Sequence, residues 1–286
     1  MAKTDVTARL RRIEGKHNAL VKELRQAFAR AELTADGECA VEGFRIIEEA
    51  IRSGLRLRAV FVSESGQDRA ARLLPQIGSH SETLLLPDKL FASVVPSETP
   101  QGIAALVQMK KFKVNEALQN EGPLLVLAGI QDPGNLGTIL RSAEAFGAGG
   151  ILLAEGTVSA YNSKTVRASA GSVFRVVLAK VQTAAAIAQL RENGFRLLAT
   201  SSHKGTALAQ SDLSPKIAVF IGNEGSGLDK KLLADMDELI TIPHSPRVES
   251  LNAGIAASVI LYEAARQQPT TEMLEHPQTR ASSEDR

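Results

Sequence analysis

At 286 residues, with 44% hydrophobic and 23% charged residues and a net charge of +1, the chain has an ordinary globular composition and room for two domains. No segment approaches the roughly 18 uninterrupted apolar residues of a membrane helix, and no apolar core follows the basic N-terminus as a secretory signal requires, so a cytoplasmic protein is expected. Cys39 is the single cysteine, which excludes an internal disulfide and reads as a buried structural thiol; with five scattered histidines beside it, no metal site is expected.

The charge is unevenly spread. Residues 1–30 hold eight Lys or Arg against three acidic residues, enough to follow a phosphate backbone by counterion release or, equally, to form a solvated helix face. The absence of Trp and the presence of only two Tyr argue against a single-strand binder built on stacked bases.

In chain order, Leu10, Ile13, Leu20, Val21, Leu24 and Phe28 predict an amphipathic helix over 8–30, treated as a separate basic segment, 1–30. A second helix is expected over 41–53, stopped by Gly54, then a strand over 57–62, a helix over 68–77 and a strand over 83–86. Pro87 opens a short helix to Val94, and a turn at Ser97–Gly102 precedes a strand over 103–109. This alternation predicts a small α/β domain over 31–109. The polar stretch 110–122 is placed as a linker. Beyond it, strands are expected at 123–130, 150–154, 174–179, 196–201, 216–221 and 238–242. Helices are expected at 134–146, 161–170, 183–193, 229–235 and 252–266, making a second α/β domain over 123–266. Its strands are apolar nearly throughout, as in a parallel sheet covered on both faces. The aperiodic stretch 267–286 is expected to be a disordered tail.

Three segments carry residues that folding alone does not demand. Asp132-Pro133-Gly134-Asn135 is turn chemistry in which Asn135 or Gly134 could cap the next helix. Two turns into that helix Arg141 lies among small and apolar neighbours, where it either snorkels, pairs with Glu144, or serves a ligand. Gly222-Asn223-Glu224-Gly225-Ser226-Gly227 follows a strand, and glycines there allow backbone N–H groups close approach to a ligand. It matches neither a Walker loop nor the dinucleotide fingerprint. A tight turn explains the glycines but not Glu224. In the third segment, Ser250-Leu251-Asn252, Ser250 is a reasonable cap for a helix rich in small residues from Ala253 to Arg266.

Together these segments resemble the three motifs of the SpoU/TrmH family of RNA ribose 2′-O-methyltransferases, in the SPOUT superfamily, over roughly residues 122–266. Asn135-Leu136-Gly137, Arg141-Ser142-Ala143, Gly222-Asn223-Glu224-Gly225 and Ser250-Leu251-Asn252 fall in the family's order, each after an expected strand. The stretch from Val41-Glu42-Gly43 through Thr99-Pro100-Gln101-Gly102 resembles the ribosomal-protein-like substrate-binding domain placed before such catalytic domains. The resemblance implies a SPOUT α/β domain with a deep trefoil knot over about residues 195–266, an exception to unknotted topology. It implies S-adenosyl-L-methionine held by the backbone at Thr200, Ser201, Gly222, Ile242 and Leu251. Arg141 would act at the ribose as activator or proton acceptor, and Asn135, Glu224, Ser250 and Asn252 would complete the pocket of a homodimer whose active site lies near the subunit interface. One departure stands out: many relatives carry Met, a small residue and Gly after the Ile-Pro pair, whereas this chain has His244-Ser245-Pro246-Arg247. His244 is read as a surface or capping residue.

A guanidinium holds its proton well above neutral pH, so positioning and electrostatics suit Arg141 better than proton abstraction. In-line alignment of hydroxyl and sulfonium would supply much of the rate, and no metal is required. Ribosomal RNA, 23S in particular, is the expected target, with transfer RNA the alternative. Two other readings stay open: an inactive RNA-binding homologue, against which Asn135, Arg141, Glu224 and Asn252 all weigh, and a nucleotide-binding enzyme, against which the missing Lys or Ser/Thr after the glycine loop weighs.

Overall fold

The computed structural model describes residues 10–214, 216–223, 225 and 227–268. The outer end of the first expected helix, Glu224, and nearly all of the expected tail lie outside the described residues.

The N-terminal domain runs β1 (Arg11–Arg12), α1 (Ala19–Arg30), β2 (Glu38–Glu42), α2 (Phe44–Arg52), β3 (Leu57–Ser63), α3 (Gln67–Ala70), β4 (Glu82–Leu86), α4 (Asp88–Ala92) and β5 (Ile103–Gln108). Its sheet has the order β1-β4-β3-β5-β2, with β5 antiparallel to both its neighbours. Sequence periodicity overran the first helix. Residues 11 and 12 pair parallel with β4, and α1 starts only at Ala19, where the Asn18 side chain accepts from the backbone N–H of Leu20 at 3.0 Å. Val21, Leu24 and Ala27 are buried against Ala40, Phe61 and Leu106, so α1 is part of this domain's core. The helix expected over 68–77 breaks up: α3 has four residues and a 3₁₀ turn follows at Leu74–Gln76, around Pro75. Strand β2 was missed, and Val41 belongs to it rather than to a helix. Its terminal glutamates disguise a fully buried strand. Glu38 is met by Arg58 at 2.5 Å and Glu42 accepts from Ser97 Oγ at 2.7 Å, which makes their burial tolerable.

The stretch expected as a linker contains α5 (Val114–Gln119), whose Ala117 and Leu118 are buried in the second domain's core. That domain continues β6 (Leu124–Leu127), α6 (Pro133–Ala145), β7 (Gly150–Leu153), α7 (Ser163–Ala168), β8 (Leu178–Lys180), α8 (Thr183–Glu192), β9 (Arg196–Thr200), β10 (Thr206–Ala207), β11 (Ile217–Ile221), α9 (Lys230–Ala234), β12 (Glu238–Thr241) and α10 (Ala253–Gln267). The strand expected over 174–179 starts later, because Ser172–Phe174 forms a 3₁₀ turn. All seven strands are parallel in the order β10-β12-β9-β11-β6-β7-β8, and the central β6 and β11 are buried at every residue.

The two domains share one continuous apolar core, in which Cys39 and Val41 join Ala160 and Val166. Burial there pushes the Cys39 thiol up to about 12 and, with Cys39 and Glu32 nearby, the Tyr161 phenol to about 12 as well. Polar contacts reinforce the joint. Arg175 pairs with Glu144 of its own domain and reaches Glu49 at 3.1 Å and Ser53 at 2.8 Å on the other. Lys180 meets Glu32 at 2.8 Å, and Arg167 donates to Ser97 at 2.7 Å.

Candidate active site

The strand order decides where a site can form. Strands β12, β9 and β11 are adjacent, and their C-terminal loops open at the same edge of the sheet. In parallel sheets ligands bind at that edge. The loops after these strands, together with the start of α10, enclose a cavity of about 520 Å³. All five residues that the resemblance assigns to the cofactor, Thr200, Ser201, Gly222, Ile242 and Leu251, line it, and so does Ser250. Ile221, Leu228, Ile240 and Ile260 supply apolar wall, and Lys204 and Glu249 bring charge.

The glycine loop is shaped by its own backbone. Asn223 and Gly227 exchange backbone hydrogen bonds of 3.2 and 2.9 Å, and Asn223 Oδ1 accepts from the Gly225 N–H at 2.9 Å. A Cβ at Gly222 would sit 2.5 Å from the Gly227 carbonyl carbon, so only glycine fits there. Asn223 Nδ2 also donates to the Gly129 carbonyl at 2.9 Å, which ties this loop to the one leaving β6.

The caps differ from expectation, and the difference places the polar residues. Asp132, not Asn135 or Gly134, caps α6: its Oδ1 accepts from the Asn135 N–H at 2.8 Å, with Pro133 at the first helical position. Asn252, not Ser250, caps α10, accepting from the Ile255 N–H at 3.2 Å. Ser250 is thereby left in the cavity wall. Asn252 Nδ2 reaches across to Asn135 Oδ1 at 2.8 Å. Below that bond the two helices lie close together. A Cβ at Gly254 would be 3.1 Å from Thr138 Cβ, Ser142 and Ser258 share a 2.6 Å hydrogen bond, and Phe146 meets Tyr262 edge-on at 5.8 Å.

Arg141 flanks this seam on α6. It is exposed, and among the described residues it has no hydrogen-bond or ion-pair partner. The pairing with Glu144 considered from sequence does not form, because Glu144 is held by Arg175. Burial alone would push the Glu144 carboxyl up, but bonds from Arg175 and Ser172 and the Arg175 charge outweigh it and hold it below the ordinary carboxylate range. Arg141 does not line the cavity of the single chain. Structure therefore joins Asn135 to Asn252 and Ser250 to the five cofactor candidates, while the guanidinium stands outside that wall.

His244 departs from its reading as a surface or capping residue. It is half-buried, lines the cavity, and lies 5.6 Å from His203, another wall residue that sequence reasoning missed. Both occupy strand-exit loops, the one signal by which they could have been found. In the N-terminal domain the acidic group Glu23, Asp36 and Glu38 has Arg58 paired with Glu23 at 2.7 Å and Glu38 at 2.5 Å, so a guanidinium meets its charge.

Fold and cavity define an α/β protein that takes a small ligand at the carboxyl edge of a parallel sheet, preceded by a smaller α/β domain. The chain belongs to the SpoU rRNA methylase family, whose profile matches residues 122–262, and residues 18–105 match the MRM3-like substrate binding domain. It is 30% identical over 253 residues to the 23S rRNA (guanosine(2553)-2′-O)-methyltransferase RlmP of Bacillus subtilis, covering 88% of this chain and 98% of that protein. Among solved structures it resembles an AdoMet-bound rRNA methyltransferase from Sinorhizobium meliloti (TM-score 0.76, 26% identity, 92% of this chain and 100% of the other). It also resembles the SpoU methyltransferase AviRb from Streptomyces viridochromogenes in complex with AdoMet (TM-score 0.74, 28% identity, 88% and 98%).

Proposed function

We propose that the chain is an S-adenosylmethionine-dependent RNA methyltransferase that modifies a ribose 2′-hydroxyl of ribosomal RNA, 23S in particular. One observation carries this reading: the loops of three adjacent strands and the start of α10 close a single cavity on Thr200, Ser201, Gly222, Ile242 and Leu251. Its volume of about 520 Å³ suits a small-molecule cofactor, its apolar wall suits an adenine ring, and Lys204 suits a carboxylate. When bound, S-adenosylmethionine supplies an electrophilic methyl group on sulfonium. Asn252 and Asn135 brace the helix pair beside the cavity, and Ser250 offers a hydroxyl within it. Arg141 is assigned to orient the ribose and its phosphate and to stabilise the developing oxyanion, a task suited to the planar, forked donors of a guanidinium. The relative named as a 23S rRNA 2′-O-methyltransferase supports the choice of target.

The enzyme is assigned as a homodimer. Ile255, Val259 and Tyr262 share one flank of α10 and are 54%, 36% and 56% exposed, an apolar stripe that a second copy would cover. Tyr262 touches Phe146, just past the end of α6, so the stripe borders the seam that Arg141 flanks. Dimerisation there brings Arg141 to an active site from which it is absent in the single chain. A trefoil knot within residues 195–266 is part of this assignment, carried by the family resemblance. No helix among the described residues is long and apolar enough to cross a membrane, in keeping with a cytoplasmic enzyme.

The test is methyl transfer from radiolabelled S-adenosylmethionine to ribosomal and transfer RNA, followed by digestion to nucleosides. A 2′-O-methylnucleoside from ribosomal RNA is expected; label on a base, or on transfer RNA alone, contradicts the assignment.

A further inference from the structure

We propose that His244 is a side-chain hydrogen-bond acceptor for the bound cofactor, with Nε2 taking an N–H or O–H of S-adenosylmethionine. This rests on the reading of the cavity as the cofactor site. His244 Nδ1 lies 2.7 Å from the Ile242 carbonyl oxygen. A carbonyl can only accept, so Nδ1 carries the hydrogen, and in the neutral ring Nε2 is left with a bare lone pair. That Nε2 is buried, and among the described residues it has no hydrogen-bond partner. A buried polar atom without a partner is costly, and a ligand donor would satisfy it.

The ring is fixed from two directions. The Ile242 carbonyl sets its tautomer, and His203, on the loop after β9, lies beside it at a tilt of 35°. The same cavity wall carries the polar residues Ser201, Lys204, Glu249 and Ser250. None of these is hydrogen-bonded to Nε2. The cofactor carries donors on its adenine, its ribose and its amino-acid ammonium, any of which would complete this atom.

Calorimetry on the full chain tests the assignment, with S-adenosylhomocysteine as a stable probe and adenosine as its nucleoside fragment. His244→Phe keeps a ring and removes the acceptor; His244→Gln restores an acceptor near the Nε2 position. About tenfold weaker S-adenosylhomocysteine binding is expected for His244→Phe, and binding within about threefold of wild type for His244→Gln. An equal loss for adenosine puts the donor on the nucleoside; unchanged adenosine binding puts it on the amino-acid part. In the wild type, the His244 Nε2 resonance is expected to shift on adding S-adenosylhomocysteine, a readout independent of variant folding. If wild type binds but neither the Phe variant's affinity nor that resonance changes, this proposal is overturned and the cofactor site stands. If wild type does not bind, both fall together.

Discussion

Asn252 donates from Nδ2 to Asn135 Oδ1 at 2.8 Å, joining residues 117 positions apart in the chain, while its own Oδ1 caps α10. One side chain thus starts a helix and fastens it to another at the edge of the cavity. Asn252→Ser keeps a capping oxygen and is too short to reach Asn135, so it separates the two roles. A double-mutant cycle in chemical denaturation, pairing Asn135→Ala with Asn252→Ser, is expected to give a coupling of about 0.5–1 kcal/mol. Asn252→Ala should cost about 1 kcal/mol more than the Ser variant through loss of the cap. A coupling of zero would show that the contact does not hold the helices together.

Gly222 tests the shape of the glycine loop. Because a Cβ would lie 2.5 Å from the Gly227 carbonyl carbon, Gly222→Ala must displace the turn. The expected outcome is a stability loss of about 1–3 kcal/mol together with loss of S-adenosylmethionine binding measured by calorimetry. Gly15→Ala, at a position with nothing within 4 Å and without a left-handed backbone, is the control for the loss of a glycine remote from the turn.

These loops also show what sequence could reveal. Leu124–Leu127 and Ile217–Ile221 are short apolar runs ending in glycine- or proline-bearing turns, and they read as buried parallel strands without ambiguity. The polar segments after them stood out because turn chemistry left residues unexplained. Capping was misassigned because Asp132, Asn135, Ser250 and Asn252 are all competent caps, and only the backbone path chooses among them. Strand β2 was hidden by Glu38 and Glu42, whose partners Arg58 and Ser97 are remote in sequence. The first helix was overextended because Leu10 and Ile13 fit its apolar spacing, although Asn18 begins the helix. The exposure of Arg141 could not be foreseen from its small and apolar neighbours.

The basic N-terminal segment is open to substitution but not to deletion. Removing residues 1–30 would also delete Val21 and Leu24, both buried, and with them part of the domain core. Lys16, Lys22, Arg25 and Arg30 are instead exposed and without ion-pair partners among the described residues, whereas Arg11 and Arg12 are paired with Glu82 and Glu64. Replacing the four unpaired cations by Ala should leave thermal stability unchanged, weaken RNA binding, and flatten the salt dependence of log K by about 0.7–0.9 for each phosphate that is no longer neutralised. An unchanged slope would mean that these charges face only solvent.

The joint between domains should weaken in acid. Glu144 is held below the ordinary carboxylate range in the folded protein, so its ion pair with Arg175 contributes stability above that range and loses it as the pH falls through the depressed value. The group is partly exposed, so the effect is expected to be at most about 1 kcal/mol. Arg175→Ala should therefore melt below wild type near neutral pH, and the difference should narrow, towards what the Ser53 hydrogen bond contributes, as the pH falls below the ordinary carboxylate range. Scanning calorimetry that found no narrowing across that range would contradict the assigned pair.

The most direct measurement compares wild type with Arg141→Ala in two assays on the same preparations: calorimetric binding of S-adenosylmethionine and formation of 2′-O-methylnucleoside in ribosomal RNA. The expected result is cofactor affinity within about threefold of wild type, with methyl transfer reduced by at least about a hundredfold. Full methyl transfer by the variant would contradict the role given to Arg141, and a wild type that binds no cofactor would contradict the site itself.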